Sequence, residues 1–269
     1  MDRAASGDSV YLRTLSSTQP AKKAANFAED FPTIASDFAL PPVLQSVKDN
    51  EHSSVLRISG AVNMWLHYDV MANVYCQVSG KKKLRLYPPA DIRKLKMAAG
   101  ETTSGIDVFD PSNDQVLQET SPRDFILEPG DVLFIPACWP HATAPVISED
   151  GKCGLSVAVN IFFRNLHHGY AAGRDVYGNR DLEVYQNGRR DIDKIIKALG
   201  PSTVQDAASG IRDLADALLG MKHLHKEDTS TGVREVRRLL KSVAGLPTDI
   251  GRFYLDRLAQ ELLDRCSLP

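Results

Sequence analysis

Three side chains in this 269-residue sequence have the types and spacing of metal chemistry. His67 and Asp69 stand in the run Trp65-Leu-His-Tyr-Asp69, and His141 closes Glu128-Pro-Gly-Asp-Val-Leu-Phe-Ile-Pro-Ala-Cys-Trp-Pro-His141. Two histidines and one carboxylate on one face of an octahedral metal leave the opposite face open, which is the ligand set of non-haem iron(II) oxygenases. On a strand, residues two apart project from the same face, so His67 and Asp69 reach one metal from one side. His141 then supplies the third ligand from another strand. Either half alone is a weak signal; together, in β-type surroundings with a Pro-Gly-Asp turn upstream of His141, they name oxidation by O2 as the reaction class. His52, His167, His168, His223 and His225 have no such context and are expected in loops or on solvated surface.

A 2-oxoglutarate co-substrate would fill two of the open positions and needs a cation for its far carboxylate. Of Lys81, Lys82 and Lys83, only Lys82 shares a strand face with Leu84 and Leu86. An inward lysine is costly without an anion beside it, and a dianionic co-substrate meets that need. The alternative is that all three lysines extend to water. Asn73 and Asn160 are amides in apolar strands; they serve as ordinary structural groups or as partners of a carboxylate or metal-bound water. Trp65 and Trp139, each two residues before a ligand histidine, are expected either as pocket walls or as plain core, and Arg57 is expected near the pocket mouth.

The elements that must position these groups read as short strands between turn signals: Val10–Arg13, Val55–Ile58, Asn73–Val78, Leu84–Tyr87, Val132–Ile135 and 154–163. A polar loop is expected around 99–123. Many short strands with Gly/Pro turns and no intervening helices argue a sandwich or barrel. Beyond about 180 the texture turns helical. Apolar stripes run through Ile192, Ile195, Ile196 and Leu199, through Ile211, Leu214, Leu218 and Leu219, and through Ile250, Phe253, Tyr254, Leu258 and Leu262. The charged run 222–232 reads as a linker.

The composition is that of an ordinary globular chain, 43% hydrophobic and 25% charged, and a net charge of −2 gives no global argument for nucleic acid. The stretch 81–96 is locally basic and is the candidate nucleic-acid-facing patch or, equally, a solvated surface. Cys76, Cys138, Cys153 and Cys266 show no CxxC pair and read as free thiols. No run approaches the roughly 20 apolar residues that span a bilayer, and the first residues lack the apolar stretch of a secretory signal. No membrane partner is expected, and the expected location is intracellular: cytoplasmic, with the nucleus compatible.

The runs His67-Tyr-Asp-Val-Met-Ala-Asn73, Ser79-Gly-Lys-Lys-Lys83, Pro129 to His141 and Val159-Asn-Ile-Phe162 resemble the JmjC (cupin-8-like) 2-oxoglutarate oxygenases. The resemblance implies a mainly β core, a double-stranded β-helix of jelly-roll or cupin type, with a C-terminal α-helical extension. It implies Fe(II) on the catalytic residues His67, Asp69 and His141, Lys82 on the distal carboxylate of 2-oxoglutarate, and O2 as oxidant. Asn73 and Asn160 match co-substrate positions of the asparaginyl-hydroxylase branch, and Tyr11 falls where that branch has a co-substrate tyrosine. Met64 departs from that branch, which carries a hydroxylated residue there.

Within the family, Tyr11-Leu-Arg13, Trp65-x-His67-Tyr-Asp-Val-Met71, the 177–181 run and the 246–257 segment are similar to its tRNA wybutosine-modifying branch. The likeness covers most of 8–200 and 245–265 and leaves 201–244 as an insertion. It implies hydroxylation of the wybutosine-type base of phenylalanine tRNA, and a homodimer through the C-terminal helices. Members carry about a domain's worth of sequence before the Tyr-Leu-Arg segment where this chain has ten residues, so a detached domain, a shortened product or part of a larger protein is expected. The expected organisation is an N-terminal segment 1–50, the truncated start of the domain; a core 51–165; and a helical region 166–269. The rivals are a protein hydroxylase or histone demethylase on the same scaffold, and a non-catalytic module in a wybutosine-synthesising assembly.

Overall fold

Among the described residues up to 163, turn residues separate nine antiparallel strands in two facing sheets. The computed structural model describes residues 8–20, 22–149, 153–163, 185–192 and 248–266, with residues 3, 6, 151, 208 and 246. The strands are β1 (Tyr11–Arg13), β2 (Glu51–Ser59), β3 (Met64–His67), β4 (Ala72–Ser79), β5 (Lys82–Leu86), β6 (Arg123–Leu127), β7 (Val132–Ile135), β8 (His141–Pro145) and β9 (Ser156–Phe163). One sheet has the order β1-β2-β9-β4-β7 and the other β3-β8-β5-β6. Non-consecutive neighbours in both sheets are the mark of a double-stranded β-helix.

Between the sheets, Tyr75, Ala158 and Ile135 from one side meet Leu84, Leu86 and Leu127 from the other, with Phe125, Leu133 and Trp139 packed at the margin. The outer face of the larger sheet is apolar too. Ala72, Val74, Cys76, Val159, Ile161 and Phe163 are covered by Phe27 and Val47, with Phe31, Phe38, Leu40 and Leu44 alongside. Residues 25–49 thus strap this sheet, and each large side chain so buried contributes roughly 1.5–3 kcal/mol. With both faces covered, β9 is a near-continuous apolar run interrupted by Asn160 and not an alternating one.

The β4–β5 turn depends on Gly80, at φ +70, where an added Cβ would lie 2.0 Å from the Leu155 carbonyl oxygen. β6 begins at Arg123, where the sequence pattern suggested only loop. Its opening charges are used: Arg85 holds Asp124 across the strand pair through Nε–Oδ1 at 2.7 Å and Nη2–Oδ2 at 2.8 Å.

The described C-terminal residues form a second unit. The helix Thr248–Cys266 buries Ile250, Phe253, Tyr254, Leu258 and Leu262 and leaves Asp256 and Asp264 exposed. It packs on helical residues 185–192 through Tyr185 against Tyr254, ring centroids 4.9 Å apart, and through Arg189 Nε to Glu261 Oε2 at 2.7 Å. Ile192 is buried. The rest of its stripe, the 211–219 stripe, the 222–232 linker and nearly all of the 201–244 insertion lie outside the described residues, as do His167, His168, His223 and His225. Among the described residues no helix is long and apolar enough to cross a membrane.

Candidate metal centre

An irregularity in β3 determines what faces the interior. Met64 pairs with Thr143 and His67 with His141, so three steps on β3 oppose two on β8. This bulge lets Met64 and His67 line the same pocket although they are an odd number of residues apart. It also corrects the expectation for Trp65. That residue is 61% exposed and outside the pocket lining, with its ring centroid 6.2 Å from that of His67.

Asp69 needs correction as well, because β3 ends at His67 and the carboxylate comes from the turn beyond it. The turn is pinned by Tyr68 N donating to Thr102 O at 3.0 Å and Cys138 N donating to Asp69 O at 2.8 Å. Cys138 adopts φ 61, in the left-handed region, which aims its amide at Asp69 from the loop preceding His141. One backbone hydrogen bond therefore joins the two halves of the motif.

The three ligand atoms lie within 4.8 Å of one another. Asp69 Oδ2 is 3.9 Å from His67 Nε2 and 3.7 Å from His141 Nε2. Each imidazole is oriented by the backbone carbonyl two residues earlier: His67 Nδ1 to Trp65 O and His141 Nδ1 to Trp139 O, both at 2.9 Å. A carbonyl only accepts, so the proton sits on Nδ1 and both Nε2 lone pairs turn toward Asp69. That is the tautomer a metal requires. Burial, and then the neighbouring His67 ring, push His141 down to about 4, so it is neutral and ligand-competent near pH 7. Two free imidazole nitrogens and a carboxylate in this grouping fit a divalent metal such as iron(II).

Lys82 lies across the same pocket. Its side chain is 2% exposed, and among the described residues its only hydrogen-bond partner is Ser59 Oγ at 3.0 Å. Burial pushes its ammonium down to about 8. Asn160 Nδ2 donates to Asn73 Oδ1 at 3.2 Å, and Asn160 Oδ1 has no partner among the described residues. Arg57 donates through Nη1 to the Tyr11 hydroxyl, both at the pocket wall. The pocket encloses about 420 Å³ of empty space, open solvent at its mouth included. A buried ammonium with no carboxylate beside it among the described lining residues fits a bound anion, and Asn160 Oδ1 fits a bound group or water that donates a proton.

The structure thus brings His67, His141, Lys82, Asn73, Asn160, Tyr11 and Arg57 to one pocket, with Asp69 at its metal-ligand end. It leaves out Trp139, which packs at the margin of the inter-sheet core with Arg123 Cζ 5.2 Å from its ring. Trp139 lies in the loop before β8, where strand parity does not apply. Sequence reasoning missed Ser59, Tyr75 and Thr143, although each is two residues from a wall residue already chosen. The basic stretch 81–96 is not one free patch: Lys82 is buried, Lys81 pairs with Glu128 at 2.5 Å, Arg85 with Asp124, and Lys94 with Asp91 at 3.3 Å.

Two facing antiparallel sheets with a His-x-Asp and a distant histidine grouped between them define a cupin-type domain. The chain belongs to the cupin-like domain family, whose model matches residues 3–168. Among its relatives, the tRNA wybutosine-synthesizing protein 4 of Gibberella zeae is 51% identical over 219 residues, covering 81% of this chain and 21% of that protein. The protein of the same name from Emericella nidulans is 45% identical over 265 residues, covering 97% and 20%. The tRNA wybutosine-synthesizing protein 5 of Danio rerio is 37% identical over 177 residues, covering 65% and 51%. The chain therefore spans about a fifth of the length of these fungal relatives and about half of the Danio rerio one.

Proposed function

We propose that this chain is an Fe(II)- and 2-oxoglutarate-dependent oxygenase that hydroxylates the wybutosine-type base of phenylalanine tRNA. The observation that carries the oxygenase reading is the pairing of a His67–Asp69–His141 cluster with a buried Lys82 that no carboxylate among the described residues pairs, in one pocket. The tRNA reading rests on the names of the relatives. When bound, iron(II), 2-oxoglutarate and O2 supply oxidative decarboxylation to succinate and CO2, with one oxygen atom entering a substrate C–H bond.

The protein's own residues prepare that chemistry. His67, Asp69 and His141 hold the metal from one side, and the Trp65 and Trp139 carbonyls keep both imidazoles in the binding tautomer. Lys82 neutralises the far carboxylate of the co-substrate, with Ser59 orienting its ammonium. Tyr11 must accept from Arg57, because arginine has no acceptor, so its own hydroxyl proton is available to the pocket. Asn73 and Asn160 present an amide pair to the same anion. Apolar packing of Tyr75, Leu84 and Leu86 excludes water behind the site.

The test has two parts. Succinate release by the iron-loaded protein should be stimulated by tRNA carrying the wybutosine base and not by peptides; stimulation by peptides alone would instead indicate a protein hydroxylase. Mass spectrometry of that base in cells with and without the gene should show loss of the hydroxyl. Persistence of the hydroxylated base after deletion would reject the substrate.

A further inference from the structure

The pocket carries more positive charge than the proposed co-substrate consumes. Arg57 lines it from β2, and the β1–β2 register sets Arg13 directly opposite Arg57 on the same face of the sheet. Arg57 is also built in place. Its guanidinium carbon is 6.0 Å from the centre of the Tyr11 ring and 5.8 Å from that of Phe162, while Nη1 is committed to the Tyr11 hydroxyl. Its Nε is buried and has no hydrogen-bond partner among the described residues.

The formal charges make the same point. Lys82 and Arg57 bring two positive charges, a divalent metal brings two more, and Asp69 brings one negative charge. A dianionic co-substrate leaves one positive charge over, and no further carboxylate among the described residues lines the pocket to cancel it. A planar guanidinium with a free N–H suits a carboxylate or a phosphate.

We infer that Arg57 is a second anion-binding centre in this pocket, taking an oxyanion of the substrate, a carboxylate or a phosphate, beside the bound co-substrate. This rests on the oxygenase reading for the co-substrate and on the tRNA reading only for the source of the anion.

The test uses the whole chain loaded with Mn(II) and saturating 2-oxoglutarate, with inorganic phosphate as probe. Paramagnetic relaxation of the phosphate 31P signal should saturate, and Arg57→Met should weaken phosphate at least tenfold and 2-oxoglutarate by a clearly smaller factor, the part owed to the lost Tyr11 contact. Arg57→Lys, which keeps the charge, should retain part of the binding and guards against misfolding of the first variant. Three results would overturn the inference: no saturable relaxation in the unsubstituted protein, no change in Arg57→Met, or an equal loss of 2-oxoglutarate binding. Carbon-13-labelled acetate run in parallel separates the sources, since tighter acetate binding favours a carboxylate and tighter phosphate a backbone contact. A saturable phosphate site that tRNA fails to displace would support the Arg57 assignment while rejecting tRNA.

Discussion

Lys82 couples stability to ligand binding in a way that one substitution can expose. Its ammonium is buried against Ser59 and pushed from 10.5 down to about 8 by burial. At about 1.4 kcal/mol per pH unit, the gap costs the ligand-free fold roughly 3 kcal/mol. The folded state releases this proton more readily than the unfolded chain does. The penalty is therefore full below about pH 8 and fades as pH rises from 8 toward 10.5. Lys82→Met keeps the apolar stem and removes the charge, at a cost of about 1 kcal/mol for the lost hydrogen bond. The net gain is about 2 kcal/mol at pH 7, a rise in Tm of about 4–8 °C. Calorimetry of the metal-free proteins should show the variant melting higher at pH 7 and the difference shrinking by pH 10. With both proteins already loaded with Mn(II), adding 2-oxoglutarate should then raise the melting temperature of the unsubstituted protein markedly more than that of the variant. A variant that melts lower at pH 7, or gains as much from 2-oxoglutarate, would refute the claim that Lys82 is an uncompensated cation awaiting an anion.

Three further outcomes follow from named contacts. Asp69→Ala should weaken metal retention at least tenfold, read as metal content after dialysis, because both Nε2 atoms converge on the lost carboxylate. Gly80→Ala should cost more than about 1 kcal/mol in denaturant unfolding, since φ +70 and the Leu155 carbonyl both oppose a Cβ. The folded state of the metal-free protein binds the His141 proton more weakly than the unfolded chain. Its urea midpoint should therefore fall as pH drops from about 6.5 toward 4.

Local regularity decided which parts of this site could be read from sequence. The facing of Lys82 follows from parity because β5 is an unbroken strand, with Lys82, Leu84 and Leu86 buried and Lys83 and Arg85 only partly so. The same rule fails four residues into the motif on β3. Its bulge is invisible in Met-Trp-Leu-His, turns Trp65 to solvent and brings Met64 inward. It fails again at Trp139, where Cys138 in a left-handed conformation interrupts the alternation just before His141. Both failures adjoin metal ligands. A regular strand could carry His67 and Asp69 on one face, but it could not also bring the Asp69 backbone to the Cys138 amide. The departures that misled the pattern are the ones that converge the three ligand atoms.

The other illegible part was long-range register. Tyr11 and Arg13 lie more than forty residues from their partners on β2, and only the pairing Tyr11↔Ser59 and Arg13↔Arg57 places them. No local periodicity encodes that choice; it follows from Arg57 and Ser59 sharing the inner face with the ends of β9. Once the register is known, Tyr11 and Arg57 stand together at a pocket that already holds Lys82 and the metal ligands His67 and His141. Such concentrated charge is poor design for a ligand-free core and good design for a site that binds two anions.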